Sequence, residues 1–448
     1  MKDPYVISDE LIKDPPETFA GRLKFLGPGF ILSASIVGSG ELIATTVLGA
    51  TAGFAALWII IISCLAKVAV QLEFGKHAIL TGETAIQAFD KLPGPRLGKG
   101  GWVVWTVFIS ATLKIVQIGG IMGGTVIILN MIYSGFSIFT WTIITALGVS
   151  ALIYNGKYNL VEKLSLFMIA MFTILTLTAL FSLRYTEFSF SISQVFRDLQ
   201  FNLSPAVVGV AIGAFGITGV ASDEIIAYNY WCIEKGYAAY TGPRKDTQEW
   251  MARARGWIKV MYLDAFVAMV IYTVVTVAFY LLGAAILHGR QEIPEGNDVI
   301  ETLALIYTQS LGPGIRIAYL IGGFFVLFSS LYATLAAWTR VFSDIFGRMG
   351  WLDFSDVVKR TKVIAILSWI FPMTWAAAFL FIKLPVLMVL SGGVVGSILL
   401  FVVVFAALYF KYRKTAFMPS GFLYQIAFWI SIISIVGVGI YGIWKVIV

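Results

Sequence analysis

Apolar residues form long runs along this chain, and polar residues collect in the short stretches between the runs. An apolar run of about twenty residues is long enough to cross a bilayer as a helix. Eleven runs of this kind can be recognised. The predicted spans lie near 27–53, 54–80, 101–133, 137–154, 160–183, 204–231, 256–288, 314–346, 362–382, 384–410 and 421–447. The pattern therefore predicts an all-α integral membrane protein.

The composition excludes several other classes of protein. Hydrophobic residues make up 59% of the chain and charged residues only 13%, whereas a soluble domain carries about 25% charge. The two cysteines, Cys64 and Cys232, are far apart, and there are only two histidines. A cysteine-held or multi-histidine metal centre is therefore excluded, and no cofactor is expected.

Most of the 32 Lys and Arg residues fall in segments on the same side of the predicted spans as the N-terminus. Positive loops face the cytoplasm, so we expect a cytosolic N-terminus, an outside C-terminus after eleven spans, and a location in the plasma membrane. Segment 1–24 is charged, contains Pro4, Pro15 and Pro16, and lacks the pattern of a cleaved signal, which predicts a cytosolic tail. The net charge of +7 reflects this asymmetry and does not indicate nucleic-acid binding, because the basic residues are scattered over the loops.

The first and sixth predicted spans carry similar polar motifs at their centres. In register, Ser39 matches Ser222 and Glu41 matches Glu224. The two motifs are five spans apart, and because five is odd the second copy crosses the membrane in the opposite direction. Matched interrupted helices of this kind are typical of an inverted repeat with a binding site near the bilayer midplane. The alternative is that the glycines around both motifs only allow close helix packing.

Several charges lie deep in the predicted spans, where each costs roughly 2.5–3.5 kcal/mol at a helix centre. Lys114 has no acidic residue in its own span, so Glu41, Asp223 and Glu224 are the candidate partners, and the choice among them is open. Structural ion pairs are also expected within the second span, where Glu73 has Lys67 and Lys76 as candidate partners, and within the eighth span, between Arg340 and Asp344. The alternative to a binding site is a network of salt bridges that holds no ligand.

Three of the predicted spans carry stretches that resemble a known family. They are Gly27-Pro28-Gly29-Phe30 and Gly49-Ala50-Thr51-Ala52-Gly53-Phe54 in the first span, Ala111-Thr112 and Gly119 through Gly123 in the third, and Ser329-Ser330 through Thr334-Leu335-Ala336 in the eighth. In these stretches the chain resembles the Nramp family of proton-coupled divalent-metal transporters. The resemblance implies a LeuT-type inverted repeat of five plus five spans, with broken spans one and six and an eleventh span. The implied transporter core covers 25–410, with repeats at about 27–183 and 204–410, and 411–448 adds the last transmembrane helix.

The site motifs of this chain depart from those of the family. The family's Asp-Pro-Gly-Asn falls on Gly38-Ser39-Gly40-Glu41, its Met-Pro-His falls on Ala221-Ser222-Asp223, and a tenth-span glutamine falls on Gly392, after Ser391. The proton-linked acids of the third span fall on Leu113 and Val116, beside Lys114 and Gln117. Candidate substrate-binding residues are Gly38, Ser39, Glu41, Thr45, Ala221, Ser222, Asp223, Glu224 and Ser391. Lys114 and Gln117 are candidate coupling residues, and Glu41 and Asp223 are candidate metal ligands.

A site of carboxylates, hydroxyls and backbone carbonyls, without Met, Cys or His, favours hard cations such as Mg²⁺ or Mn²⁺ over soft transition metals. We therefore expect a secondary active transporter of a hard divalent cation in the lipid bilayer, with no nucleic-acid partner and an undetermined oligomeric state, a monomer being one option. Lys114 favours the alternative of a small zwitterion or organic acid, and a channel is a further alternative. An enzyme is not expected, because the sequence has no nucleotide-binding loop, nucleophile–base pair or metal-hydrolase motif. The adjacent acids Asp223 and Glu224 point about 100° apart on a helix, which does not suit acid–base work on one bond.

Overall fold

The computed structural model describes residues 3–201, 204–288 and 313–447, and helices dominate throughout. The long apolar runs form helices because lipid offers no hydrogen-bond partners to the backbone, and a helix pairs its own N–H and C=O groups. Each predicted span coincides with a helical segment. These segments are Pro28–Ala52, Leu57–Thr81, Trp102–Ile132, Ile138–Ile153, Tyr158–Ser182, Pro205–Glu234, Gln248–Ile286, Pro313–Arg348, Val357–Ile382, Pro385–Tyr409 and Phe422–Ile447.

Nine of the helices in the described part of the chain are long and apolar enough to cross a membrane unaided. The bent first segment qualifies as a further span when its two halves are taken together, and Ile138–Ile153 is a shorter apolar helix. The all-helical membrane fold expected from the sequence is confirmed. The remaining elements are short helices at Asp9–Leu11, Phe19–Leu23, Ala85–Asp90, Leu183–Tyr185, Ile192–Arg197 and Tyr237–Thr241, a π-helical end at Phe410–Lys414, and a two-stranded hairpin of Arg96–Leu97 and Gly100–Gly101.

The sixth span is interrupted where the sequence motif predicted. One half-helix, here called helix 6a, covers Pro205–Ile217, and a second, helix 6b, covers Ser222–Glu234. The four residues between them leave the helical conformation, and Gly219 has a positive φ of 61° that favours glycine. Backbone opened in this way is tolerated in a membrane protein only where it is buried in protein or lines a cavity.

The interruption of the first span takes a different form from the one expected. Instead of unwinding near Gly38, the chain widens into a π-helix over Val37–Thr45. The two helical parts, Pro28–Ile36 and Glu41–Ala52, meet at an angle of 44°. A π turn loosens the regular hydrogen-bond ladder without breaking it, and such turns are frequent at functional sites.

Glycines bring both interrupted helices into backbone contact with their neighbours. A Cβ atom on Gly38 would lie 1.8 Å from the carbonyl oxygen of Val326 in the eighth span. A Cβ atom on Gly216 of helix 6a would lie 2.0 Å from the carbonyl oxygen of Gly393 in the tenth span. No side chain fits at these crossings, so the interrupted helices are held directly against spans eight and ten.

Two of the ion pairs predicted within single helices, Lys67 with Glu73 and Arg340 with Asp344, are wrong. Glu73 pairs with Lys411 at 3.3 Å rather than with Lys67. Arg340 is bound through both carboxylate oxygens of Glu234, at 2.6 and 2.9 Å. Asp344, the predicted partner of Arg340, instead contacts Arg348, Thr84 and Tyr230. These buried charges therefore tie distant segments together.

Candidate functional site

A buried ion pair links the third span to the start of helix 6b. The Lys114 ammonium lies 2.8 Å from Oδ2 of Asp223 and 3.4 Å from the Ser222 hydroxyl. Its side chain is only 1% exposed, while that of Asp223 is 23% exposed. Gly396 provides the space, since a Cβ there would lie 3.0 Å from the ammonium nitrogen. Among the three partners that the sequence left open, the structure places Asp223 against Lys114.

Glu224 follows Asp223 but faces a different neighbour. Its Oε1 accepts a hydrogen bond of 3.1 Å from the Ser35 hydroxyl of the first span. Its Oε2 is buried and accepts no hydrogen bond from the protein. Glu224 lies in the first turn of helix 6b, where the helix dipole favours a negative charge. This position leaves one carboxylate oxygen available to a ligand.

Gln117 is one turn beyond Lys114 and supplies a second buried oxygen that has no hydrogen-bond donor. This atom is its Oε1, and its side chain lies against Gly392, where a Cβ would come within 2.2 Å of it. Gln117 and Glu224 line the same cavity, together with Lys114, Asp223 and Ala221. The cavity has about 20 Å³ of free volume, roughly the space that holds one water molecule.

Aromatic and small side chains close this cavity along helix 6b and the eighth span. The lining includes Trp231 from helix 6b, and Trp338 and Thr334 from the eighth span. The sequence analysis did not select Ser35, Thr334 or these tryptophans. A serine, a threonine or a tryptophan inside an apolar run carries no signal by itself, and only the packing of spans one, six and eight brings these residues to one place.

Glu41 lies on the other side of the interrupted backbone. Its Oε1 accepts hydrogen bonds from the Gly219 N–H at 3.1 Å and from the Thr276 hydroxyl at 3.0 Å. Glu41 is not among the residues that line the cavity of Asp223, and its Oε2 is buried without a partner. The peptide N–H opened at Gly219 thus provides a partner for Glu41, whereas Asp223 lines the cavity, and a joint role of the two as metal ligands stays a prediction.

The other candidate residues divide between the cavity and the helix framework. The Thr45 hydroxyl donates to the carbonyl oxygen of Glu41 in its own helix. The Ser391 hydroxyl likewise donates to the carbonyl of Met388, at 2.8 Å. Gly38 is a packing position, as described above, and the side chain of Ser39 lies outside the described residues. Among the described residues, no three His, Cys, Asp or Glu side chains are grouped closely enough to hold a metal ion.

Two interrupted helices, with buried carboxylates and buried ammonium groups at the interruption, define a class of membrane protein. In a lipid environment such residues are retained at substrate and ion pathways, and opposed half-helices are the framework of secondary transporters with inverted repeats. The fold and the site together are those of a membrane transporter rather than of an enzyme.

Solved structures share this fold. The Eremococcus coleocola manganese transporter in complex with an aromatic bis-isothiourea substituted compound is similar over 99% of both chains, with a TM-score of 0.58 and 16% identity. Mhp1, described as a nucleobase-cation-symport-1 family transporter with bound bromovinylhydantoin, gives a TM-score of 0.59 at 14% identity, over 97% of this chain and 96% of its own. The LeuT-type inverted repeat expected from the sequence is confirmed.

The sequence profile of the Nramp family, described as natural resistance-associated macrophage protein-like, matches residues 29–445. The chain belongs to the Nramp family. The divalent metal cation transporter MntH of Brucella suis is 23% identical over 276 residues, 60% of this chain and 56% of its own length. An uncharacterized protein of Pasteurella multocida is 23% identical over 344 residues, 72% of this chain and 70% of its own. Rat natural resistance-associated macrophage protein 2 is 26% identical over 204 residues, and the match spans only 33% of that protein.

Proposed function

We propose that this chain is a secondary active transporter of a hard divalent cation, Mg²⁺ or Mn²⁺, which binds in the cavity lined by Gln117, Asp223 and Glu224. The observation that carries the proposal is the pair of buried oxygen atoms, Gln117 Oε1 and Glu224 Oε2, that have no protein donor and belong to residues lining one small cavity. An unsatisfied buried acceptor costs about 1–3 kcal/mol. A bound cation would satisfy both atoms.

The chemistry of the lining supports a hard ion. The cavity presents carboxylate, amide and hydroxyl oxygens, and Ala221 occupies the position where the family motif has a methionine. Thioether and thiolate ligands favour soft metals, whereas oxygen ligands suit Mg²⁺ and Mn²⁺. The names of the similar manganese and divalent-metal transporters support a metal substrate as well.

Lys114 would couple binding to a rearrangement of the site. While its ammonium holds Asp223, that carboxylate is neutralised and cannot serve a cation fully. Binding of the ion to Asp223 would require the ammonium to move to another partner, and lysine is suited to this because its stem is flexible. The distances between Lys114, Ser222 and Asp223 support this role.

A small zwitterionic solute is a second candidate, favoured by the presence of the Lys114 ammonium and the Glu224 carboxylate in one cavity. An amino acid could place its carboxylate on the former and its amine on the latter. The free volume of about 20 Å³ argues against it in the observed conformation, because an amino acid needs the space of several water molecules.

Uptake into proteoliposomes tests the proposal, with Mn²⁺, Mg²⁺, Cd²⁺ and a mixture of amino acids measured side by side. We expect uptake of Mn²⁺ or Mg²⁺ and little of Cd²⁺ or amino acids. Glu224→Gln keeps the acceptor for Ser35 and should lower metal uptake roughly tenfold or more. The matched control is Glu249→Gln at an exposed side chain, which should transport normally. Amino-acid uptake, or metal uptake unaffected by Glu224→Gln, would overturn the proposal.

We further propose that the N-terminus faces the cytoplasm, the C-terminus faces outside, and the protein resides in the plasma membrane. The clustering of Lys and Arg on the N-terminal side supports this orientation. Protease or labelling access to tags at the two ends of the chain, in intact cells, tests it directly.

A further inference from the structure

The interruption of the sixth span removes one helical hydrogen bond. Two charged side chains bind the N–H donor and the carbonyl acceptor that this bond would have joined. In a continuous helix the Gly219 N–H would donate to the carbonyl of Phe215, four residues earlier. Here the Gly219 N–H donates to the Glu41 carboxylate at 3.1 Å. The Phe215 carbonyl accepts instead from the Lys67 ammonium at 2.6 Å. An acid and a base from neighbouring spans thus replace the missing bond.

Lys67 is held by more than one oxygen at the end of helix 6a. Its ammonium also donates to the carbonyl of Thr218 at 2.5 Å, and it lies 4.7 Å from the centre of the Phe215 ring. Ser63, one turn earlier in the second span, contacts the same carbonyls and the Thr218 hydroxyl. Both Lys67 and Ser63 are completely buried.

The backbone carbonyl oxygens of Phe215 and Thr218 are grouped as in a cation-binding site. The C-terminal end of a helix carries a partial negative charge, and the C-terminal ends of half-helices in transporters of this architecture coordinate coupling cations. In this chain the ammonium of Lys67 has the position that such a cation would occupy. The site is separate from the cavity of Asp223, since neither Lys67 nor Phe215 lines that cavity.

We propose that the carbonyls of Phe215 and Thr218 and the Ser63 hydroxyl form a monovalent-cation site, which the ammonium of Lys67 occupies. When the Lys67 side chain is truncated, the site binds a free alkali or small ammonium cation. The wild-type protein therefore needs no monovalent cation to hold the sixth span open. The proposal concerns a resident cation and does not depend on which substrate is carried.

The test uses the full-length protein purified in parallel in choline, sodium and methylammonium chloride at equal ionic strength. The readout is the temperature of unfolding. Lys67→Ala leaves the volume of the ammonium empty, and its unfolding temperature should rise saturably with Na⁺ or methylammonium, by roughly 3–6 °C at a hundredfold excess over the dissociation constant. Lys67→Met fills the volume with an apolar chain and should show no such rise.

Two controls separate a specific site from a general salt effect. The wild-type protein should unfold at the same temperature in all three salts. Lys76→Ala removes another buried lysine of the second span, whose ammonium contacts the Ser420 hydroxyl and not a helix end, and it should not respond to the choice of cation.

The proposal is overturned if Lys67→Ala is as stable as the wild type in choline, if Lys67→Met responds as Lys67→Ala does, or if Lys67→Ala fails to fold in every salt. Substrate uptake by Lys67→Ala gives an independent measurement. Uptake by this variant should require Na⁺ or methylammonium. If the wild type transports no divalent cation, the proposed function fails, but the stability measurement still tests the cation site.

Discussion

Removing the two members of the buried pair between Lys114 and Asp223 should have unequal effects on stability. The Asp223→Asn change leaves the ammonium of Lys114 in a position that is 1% exposed, with the Ser222 hydroxyl 3.4 Å away. The Lys114→Met change leaves a carboxylate that is 23% exposed and can be reached by water. The burial of the remaining charge therefore determines the cost.

The magnitudes follow from this difference in exposure. Breaking a buried ion pair from one side costs about 3–5 kcal/mol. We expect about 3 kcal/mol for Asp223→Asn, the lower end, because Glu224 lines the same cavity and can take over part of the interaction with Lys114. Lys114→Met should cost about 1–2 kcal/mol, as for a polar group that keeps some contact with water. The double variant should lie within about 1 kcal/mol of the wild type, since neither charge is then left unpaired.

The assay is equilibrium unfolding in mixed detergent micelles, analysed as a double-mutant cycle. The matched control is the pair of Lys245 and Asp9, which has the same 2.8 Å separation but side chains that are 51% and 64% exposed. Lys245→Met should cost less than about 1 kcal/mol. Equal costs for Asp223→Asn and Lys114→Met, or a double variant as unstable as the sum of the single variants, would refute the reasoning.

Two further predictions concern the helix crossings and Glu83, which follows the second span. Gly38→Ala should destabilise the protein by about 3 kcal/mol or more in unfolding measurements, because the new Cβ would lie 1.8 Å from the Val326 carbonyl oxygen. The control is Gly148→Ala, where a new Cβ would have no atom within 4 Å. This change should be neutral or stabilising. Glu83 lies outside the spans, and the neighbouring His77 imidazole, 3.4 Å away, together with the Lys91 ammonium lowers its pKa to about 2 from about 4.5. The stabilisation by Glu83, measured against Glu83→Gln, should therefore be constant above about pH 5 and decline as the pH falls toward 2, and a constant difference down to pH 2 would contradict it.

The sequence was sufficient to predict the helices because the bilayer determines their length and their apolar surface. The fourth span, predicted at 137–154, is the helix Ile138–Ile153. The interruption of the sixth span was predictable from the polar motif at its centre. The π turn of the first span was not, because the same glycines and polar residues allow either an unwound segment or a widened helix.

The partners of the buried charges were not predictable from spacing within one helix. Lys67 and Glu73 are six residues apart, which places them about 120° apart around a helix and on different faces. Each therefore finds its partner on another segment, 338 residues away in the case of Glu73 and Lys411. Arg340 and Asp344 have the right spacing, but the carboxylate of Glu234 offers Arg340 two hydrogen bonds at once, which a neighbour on the same helix does not match.

The adjacent acids Asp223 and Glu224 have different roles because a helix turns about 100° between them. Asp223 is held by Lys114, while Glu224 accepts from Ser35 and keeps one oxygen free. One carboxylate oxygen and the amide oxygen of Gln117 would bind a divalent cation weakly, since such ions take six or more oxygen ligands. Strong binding therefore needs Asp223 as well, and Asp223 becomes available only when the ammonium of Lys114 leaves it. The position of Lys114 thus sets the affinity of the proposed site, which gives the ion pair a physical means of linking binding to conformational change.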